Sequence, residues 1–206
     1  MRLSNPSSST GRACWLGLLA LALPLSAAAH TGVDAHSHAG FLTGFFHPFS
    51  GMDHLAAMLS VGLWSALTAR RAGADLAWGP LGFALMLLVG AVLGLGGVCV
   101  PAVEPMIAAS LLVTGMLVLT RWRVTGLAAA ALVGVFALFH GLAHGTELAG
   151  NSDAWATLAG MLTATLALHV TGLALGWALR QRSVWTARIA GAAVAVFGVT
   201  LLAQLA

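Results

Sequence analysis

Residues 154–179 read AWATLAGMLTATLALHVTGLALGWAL, with no Asp, Glu, Lys or Arg to interrupt them. A helix rises 1.5 Å per residue, so about 20 apolar residues cross the ~30 Å hydrocarbon core of a bilayer. Working outward, five more apolar segments are found at Gly51–Ala69, Trp78–Val100, Val103–Thr120, Val124–His144 and Thr186–Leu205. Hydrophobic residues make up 59% of the chain, charged residues only 7%, and mean hydropathy is +0.94, which places the chain in the membrane class. The pattern predicts an all-α fold, a polytopic membrane bundle of six transmembrane helices embedded in lipid.

The N-terminus reads as a cleavable signal peptide. Arg2 and Arg12 supply positive charge, Cys14–Leu25 an apolar stretch too short for a comfortable span, and Ala27-Ala28-Ala29 a small-residue cleavage site. An uncleaved anchor is the alternative. The expected organisation is signal peptide 1–29, external histidine-containing segment 30–46 and six-helix transmembrane domain 47–206. Loss of Cys14 with the signal leaves Cys99 alone, so neither an intrachain disulfide nor a cysteine-based metal site is expected.

Every arginine after the signal sits in or just beyond an alternate connection. Arg70 and Arg71 follow the first span, Arg121 and Arg123 the third, and Arg180, Arg182 and Arg188 the fifth. The positive-inside rule makes those loops cytoplasmic and both mature termini external. A pI near 10.2 could suggest nucleic acid, but the chain has no lysine and its arginines are scattered, so no nucleic-acid partner is expected. Gly90/Gly94, Gly141/Gly145 and Gly172/Gly176 are small-xxx-small pairs that let helices approach closely.

Ionisable residues are costly in a bilayer, which makes those in or beside the spans functional candidates. Two clusters stand out: His47-Pro-Phe-Ser-Gly-Met-Asp53-His54 and His140-Gly-Leu-Ala-His144-Gly-Thr-Glu147. The first span runs inward and the fourth outward, so both clusters fall at the outer end. At about 100° per residue, His140, His144 and Glu147 share one helix face, and paired histidines at i, i+4 can hold one metal. HGLAH lacks the glutamate of a zinc-protease helix. Imidazoles with carboxylates suit Ni, Co or Zn better than Cu(I).

Other readings compete at single positions. Ser50-Gly-Met-Asp53 resembles a helix N-cap with an acid three residues on. Glu104-Pro105 suits a helix first turn, although Glu104 also lies at the outer end and could relay ions. His169, deep in the fifth span, is either hydrogen-bonded packing or a relay. His30, His36 and His38 could capture metal weakly or form a tether. No GxxxxGK[ST] loop is present, so ATP is not the direct energy source within this chain.

HPFSGMDHLAAMLSVG resembles the first-helix signature of the HupE/UreJ family, bacterial membrane proteins associated with hydrogenase and urease maturation, at His47, Pro48, Gly51, Asp53, His54, Val61 and Gly62. FHGLAHGTELAG is similar to the family's second histidine motif at His140, Gly141, His144, Gly145 and Glu147. The resemblance implies a secondary permease of the bacterial inner membrane for nickel or cobalt, not an enzyme. The residues alone reach a divalent transition-metal site and do not exclude zinc. In the joint picture His47 and His38 recruit the ion, Asp53, His54, His140 and His144 bind it, and Glu147 tunes charge or takes a proton. The ion is cargo, no cofactor is permanently bound, and a homo-oligomer stays open. Two other classes are a membrane-embedded metal-dependent hydrolase, with Glu147 as base, and a metal sensor or docking protein that moves no ion.

Overall fold

The computed structural model describes residues 40–180 and 184–206. The expected signal peptide, His30, His36, His38 and Arg182 lie outside the described residues. Among the described residues there are seven α-helices and no strand: α1 (Phe41–Ser50), α2 (Met52–Thr68), α3 (Ala74–Leu95), α4 (Val103–Thr120), α5 (Leu127–Glu147), α6 (Ala154–Leu179) and α7 (Val184–Gln204). Helices α3 to α7 are each long and apolar enough to cross a membrane.

The stretch around the first expected span is built as two helices. Pro48 has no N–H to return to the Gly44 carbonyl, and three residues later Gly51 turns extended, at φ −98° and ψ 115°. The chain becomes helical again at Met52. Gly51 is therefore the N-cap of α2, not Ser50, whose hydroxyl donates back to the His47 carbonyl at 2.6 Å. Helices α1 and α2 both lie along α6. Gly44 of α1 packs on the Thr157 backbone, Gly62 of α2 on the His169 carbonyl, and Gly176 on Leu63 and Ala66.

Other boundaries shift for local reasons. Helix α3 stops at Leu95, short of the expected Val100, because Gly97 takes φ +84°. The Gly97 N–H donates to the Gly94 carbonyl and the Val98 N–H to the Leu93 carbonyl, a Schellman cap that a continuing apolar run does not reveal. Gly126, at φ +62°, delays the start of α5 to Leu127, and the helix continues through Glu147. The whole second cluster consequently rides on one regular helix.

Close helix packing runs along seams of small residues. A methyl group at Gly90 or Gly141 would overlap the carbonyls of Leu138 and Leu87, so α3 and α5 run side by side in parallel register. Gly172 meets the Leu59 carbonyl in the parallel α2/α6 pair, while Gly115, Gly191 and Gly198 bring α4 and α7 together antiparallel. These directions are those of alternating crossings. In α7 the buried residues are Ala187, Gly191, Ala195 and Gly198, whereas Ile189, Val196 and Val199 are exposed. Small residues inside and large apolar ones outside is the pattern for helices that pack in lipid.

The arginine-bearing connections collect at one end. Arg180 donates to the Ala69 carbonyl at 2.6 Å, and the Trp64 indole N–H donates to the Trp122 carbonyl at 2.9 Å. Helix directions put the α1/α2 break and the C-terminal turn of α5 at the opposite end.

Candidate metal centre

That opposite end gathers four histidines from three helices. Each of His47, His54 and His144 offers a ring nitrogen, and the three atoms lie within 4.8 Å of one another. Ring centroids are 4.8 Å apart for His54 and His144, 4.9 Å for His47 and His144, and 5.2 Å for His54 and His140. Bonds of about 2.1 Å to one ion separate neighbouring ligand atoms by roughly 3–3.4 Å. Small imidazole rotations would therefore close the group around a single cation.

The hydrogen bonds show which nitrogens are available. His54 Nδ1 lies 2.9 Å from Asp53 Oδ1. An ionised carboxylate only accepts, so Nδ1 carries the proton and Nε2 presents its lone pair. His54 Nε2 is buried and has no hydrogen-bond partner. His140 Nε2 is 3.0 Å from Ser110 Oγ, and the single Ser110 proton is directed at the Ile107 carbonyl, 2.6 Å away. His140 therefore donates from Nε2 and leaves Nδ1 bare, also buried without a partner. A buried, unsatisfied acceptor is rare and calls for an explanation; two such atoms on neighbouring imidazoles are what a borderline divalent cation would satisfy. A carboxylate partner such as Asp53 is also a usual way in which a ligating imidazole is oriented.

Asp53 thus meets His54 through Nδ1, a position from which it orients the ring and supplies charge. Gly51 makes the pair feasible, since a side chain there would meet Asp53 Oδ1 and His54 Nδ1, each at 2.9 Å. Glu147 stands in a looser relation to His144, with Oε2 3.5 Å from Nδ1 and the carboxylate side chain 46% exposed. Burial deepens across the group: His47 and His54 are partly buried, while His144 and His140 are enclosed. An open surface depression lined by Leu42, Thr43, Phe46 and Ser50 includes His47 at its wall.

Of the residues singled out from sequence, His47, Asp53, His54, His140, His144 and Glu147 come together. Glu104 does not; it is exposed in the first turn of α4, where a carboxylate suits the positive end of the helix dipole. His169 is buried apart from the group and donates from Nδ1 to the Met58 carbonyl at 2.8 Å. Ser110 was not foreseen, although a serine inside the apolar run Val103–Thr120 was the available signal. Phe83, whose ring lies 5.8 Å from that of His140, carries no sequence signal at all.

Comparison with known proteins bears on what this geometry is for. The family model described as HupE / UreJ protein matches residues 18–201. Protein HupE of Rhizobium leguminosarum bv. viciae is 43% identical over 188 residues, covering 90% of this chain and 94% of that relative. No solved structure matches the chain.

Proposed function

The chain belongs to the HupE/UreJ family, and from that premise we propose that it is a secondary permease for nickel or cobalt that supplies hydrogenase or urease maturation. The observation that carries this reading is the cluster of four imidazoles, two with bare, buried ring nitrogens, drawn from a broken helix and a regular one. Residual charge on a buried dication must be offset, and Asp53 and Glu147 place two carboxylates beside the imidazoles.

In this reading α1 and α2 together form the sixth crossing, a discontinuous helix whose break holds the ion. Broken helices at ligand sites are a recurring device of secondary transporters, because the interrupted backbone is tolerated only where it lines a site. The arginine-bearing end faces the cytoplasm, the histidine centre faces the periplasm, and both mature termini are periplasmic after cleavage behind Ala29. His47 receives the ion, His54, His140 and His144 replace its waters, Asp53 fixes the His54 tautomer, and Glu147 adjusts charge at the mouth. His36 and His38 add capture ahead of His47.

Radiolabelled nickel uptake into a transport-deficient host, with cobalt and zinc as competitors, tests the proposal. Accumulation above that of cells lacking the protein is expected, with cobalt competing more strongly than zinc. A hydrolase or a sensor would move no ion.

A further inference from the structure

His169 is enclosed at 1% exposure on α6, fifteen residues into that helix and so about 22 Å along it. Its Nδ1–H is committed to the Met58 carbonyl, which leaves Nε2 as a lone pair. Nε2 is buried with no partner, so packing accounts for one side of the ring and leaves the other unexplained. Thr165, one helical turn away on the same face, is fully buried; its hydroxyl donates to the Met161 carbonyl and keeps its oxygen lone pairs. Between this imidazole and the outer group stands one aromatic ring. Phe83, 1% exposed, has its centroid 5.8 Å from His140 and 5.1 Å from His169.

We propose that His169 Nε2 is an inner binding station for the transported cation, separated from the four-histidine centre by the Phe83 ring acting as a barrier. The inference rests on the permease reading and deepens it by giving the ion a second stop near the middle of the bundle. His140 is the outer member of the hand-over, because its ring alone among the four contacts Phe83. Val61, Trp64 and Val118 are buried in the same apolar cluster as Phe83, and in this proposal that cluster closes the path inward of His169. Rotation of the Phe83 side chain would let an ion exchange the His140 nitrogen for His169 Nε2, without a passage open to both faces at once.

The alternative role for His169 is a pin that fastens α2 to α6, and one substitution separates the two. In His169→Asn the amide nitrogen occupies the place of Nδ1 and can still donate to the Met58 carbonyl, while the Nε2 ligand is gone. Two measurements are made on the full chain at matched protein levels: initial nickel uptake into proteoliposomes, and equilibrium nickel binding to the purified protein. The expected result for His169→Asn is binding at the outer centre as in wild type with uptake lost to the level of empty liposomes. Near-normal uptake by His169→Asn overturns the inner station and leaves His169 a pin. Phe83→Leu, which keeps most of the volume, should raise the initial rate with outer affinity unchanged; an unchanged or lower rate overturns the barrier. A wild-type chain that accumulates no nickel sinks the permease reading itself, which is a different result from wild-type transport retained by His169→Asn.

Discussion

The two histidine clusters use the same residue types on opposite kinds of backbone. In the first, His47 and His54 sit on separate helices on either side of an extended glycine, and the carboxylate is the immediate neighbour of the histidine it holds, at 2.9 Å. In the second, His140, His144 and Glu147 ride on one uninterrupted helix, and the carboxylate is a turn away at a looser 3.5 Å. Their glycines differ in the same sense. Gly51 clears space for the Asp53–His54 pair, whereas Gly141 and Gly145 clear space for the backbone of α3. One cluster is therefore a jaw built at a helix break, and the other a jaw carried on a continuous helix.

The sharpest way to break this comparison is to remove one ligand from each jaw. His54→Ala and His144→Ala should each abolish nickel uptake even at raised metal concentration, because no water can replace an oriented imidazole in an enclosed site. Uptake assays at matched protein levels check this. Near-normal transport by both variants would reduce the clusters to helix-end packing.

The glycines test the two jaws separately. Gly141→Ala forces a methyl group onto the Leu87 carbonyl and should cost about 1–3 kcal/mol of stability, the usual range for overpacking, seen as a lower melting temperature in detergent. Gly51→Ala meets side-chain atoms at 2.9 Å instead of a packed backbone. It should leave the melting temperature nearly unchanged and weaken nickel binding by displacing the Asp53–His54 pair. Equal loss of stability in both variants would erase the distinction between the jaws.

Much of the arrangement was legible in the sequence because it depends on periodicity and on scarcity. Long apolar runs and alternating arginines foretold long helices with the arginine-bearing turns gathered at one end, as the Arg180–Ala69 and Trp64–Trp122 bonds show. The shared helix face of His140 and His144 followed from the helical repeat. The break at Gly51 was less legible, since Pro48 and Gly51 are compatible with a helix start as well as with an interruption. Ser50 looked like the cap because its hydroxyl suits one, yet it turns back to the His47 carbonyl. Phe83 and the Met58 carbonyl stayed hidden, for one is an ordinary apolar residue in an apolar run and the other is backbone. Such partners are defined by helix registry, which the three glycine seams set in space.

Asp53→Asn sharpens the first jaw. The amide oxygen can still accept from His54 Nδ1, so the tautomer survives while the charge disappears. A loss of about 10–100-fold in nickel affinity is expected, the range for partners that orient a metal-binding histidine. A complete loss equal to that of His54→Ala would instead make Asp53 a direct ligand.

The smallest effects belong to the two outer acids, and they should not be equal. Glu147 is half exposed and 3.5 Å from His144 Nδ1, so water already competes for it and screens its charge. Glu147→Gln should raise the nickel concentration needed for half-maximal uptake by only a few-fold, within the range of a weak, solvent-screened pair. Glu104 is exposed in the first turn of α4 and outside the imidazole group. Glu104→Gln should leave uptake unchanged and cost at most about 0.3–1 kcal/mol of helix-end stabilisation. Concentration series for the two variants, run beside thermal melts, decide the matter. A larger uptake defect in Glu104→Gln than in Glu147→Gln would mean that the ion approaches along α4, away from the mouth at His47.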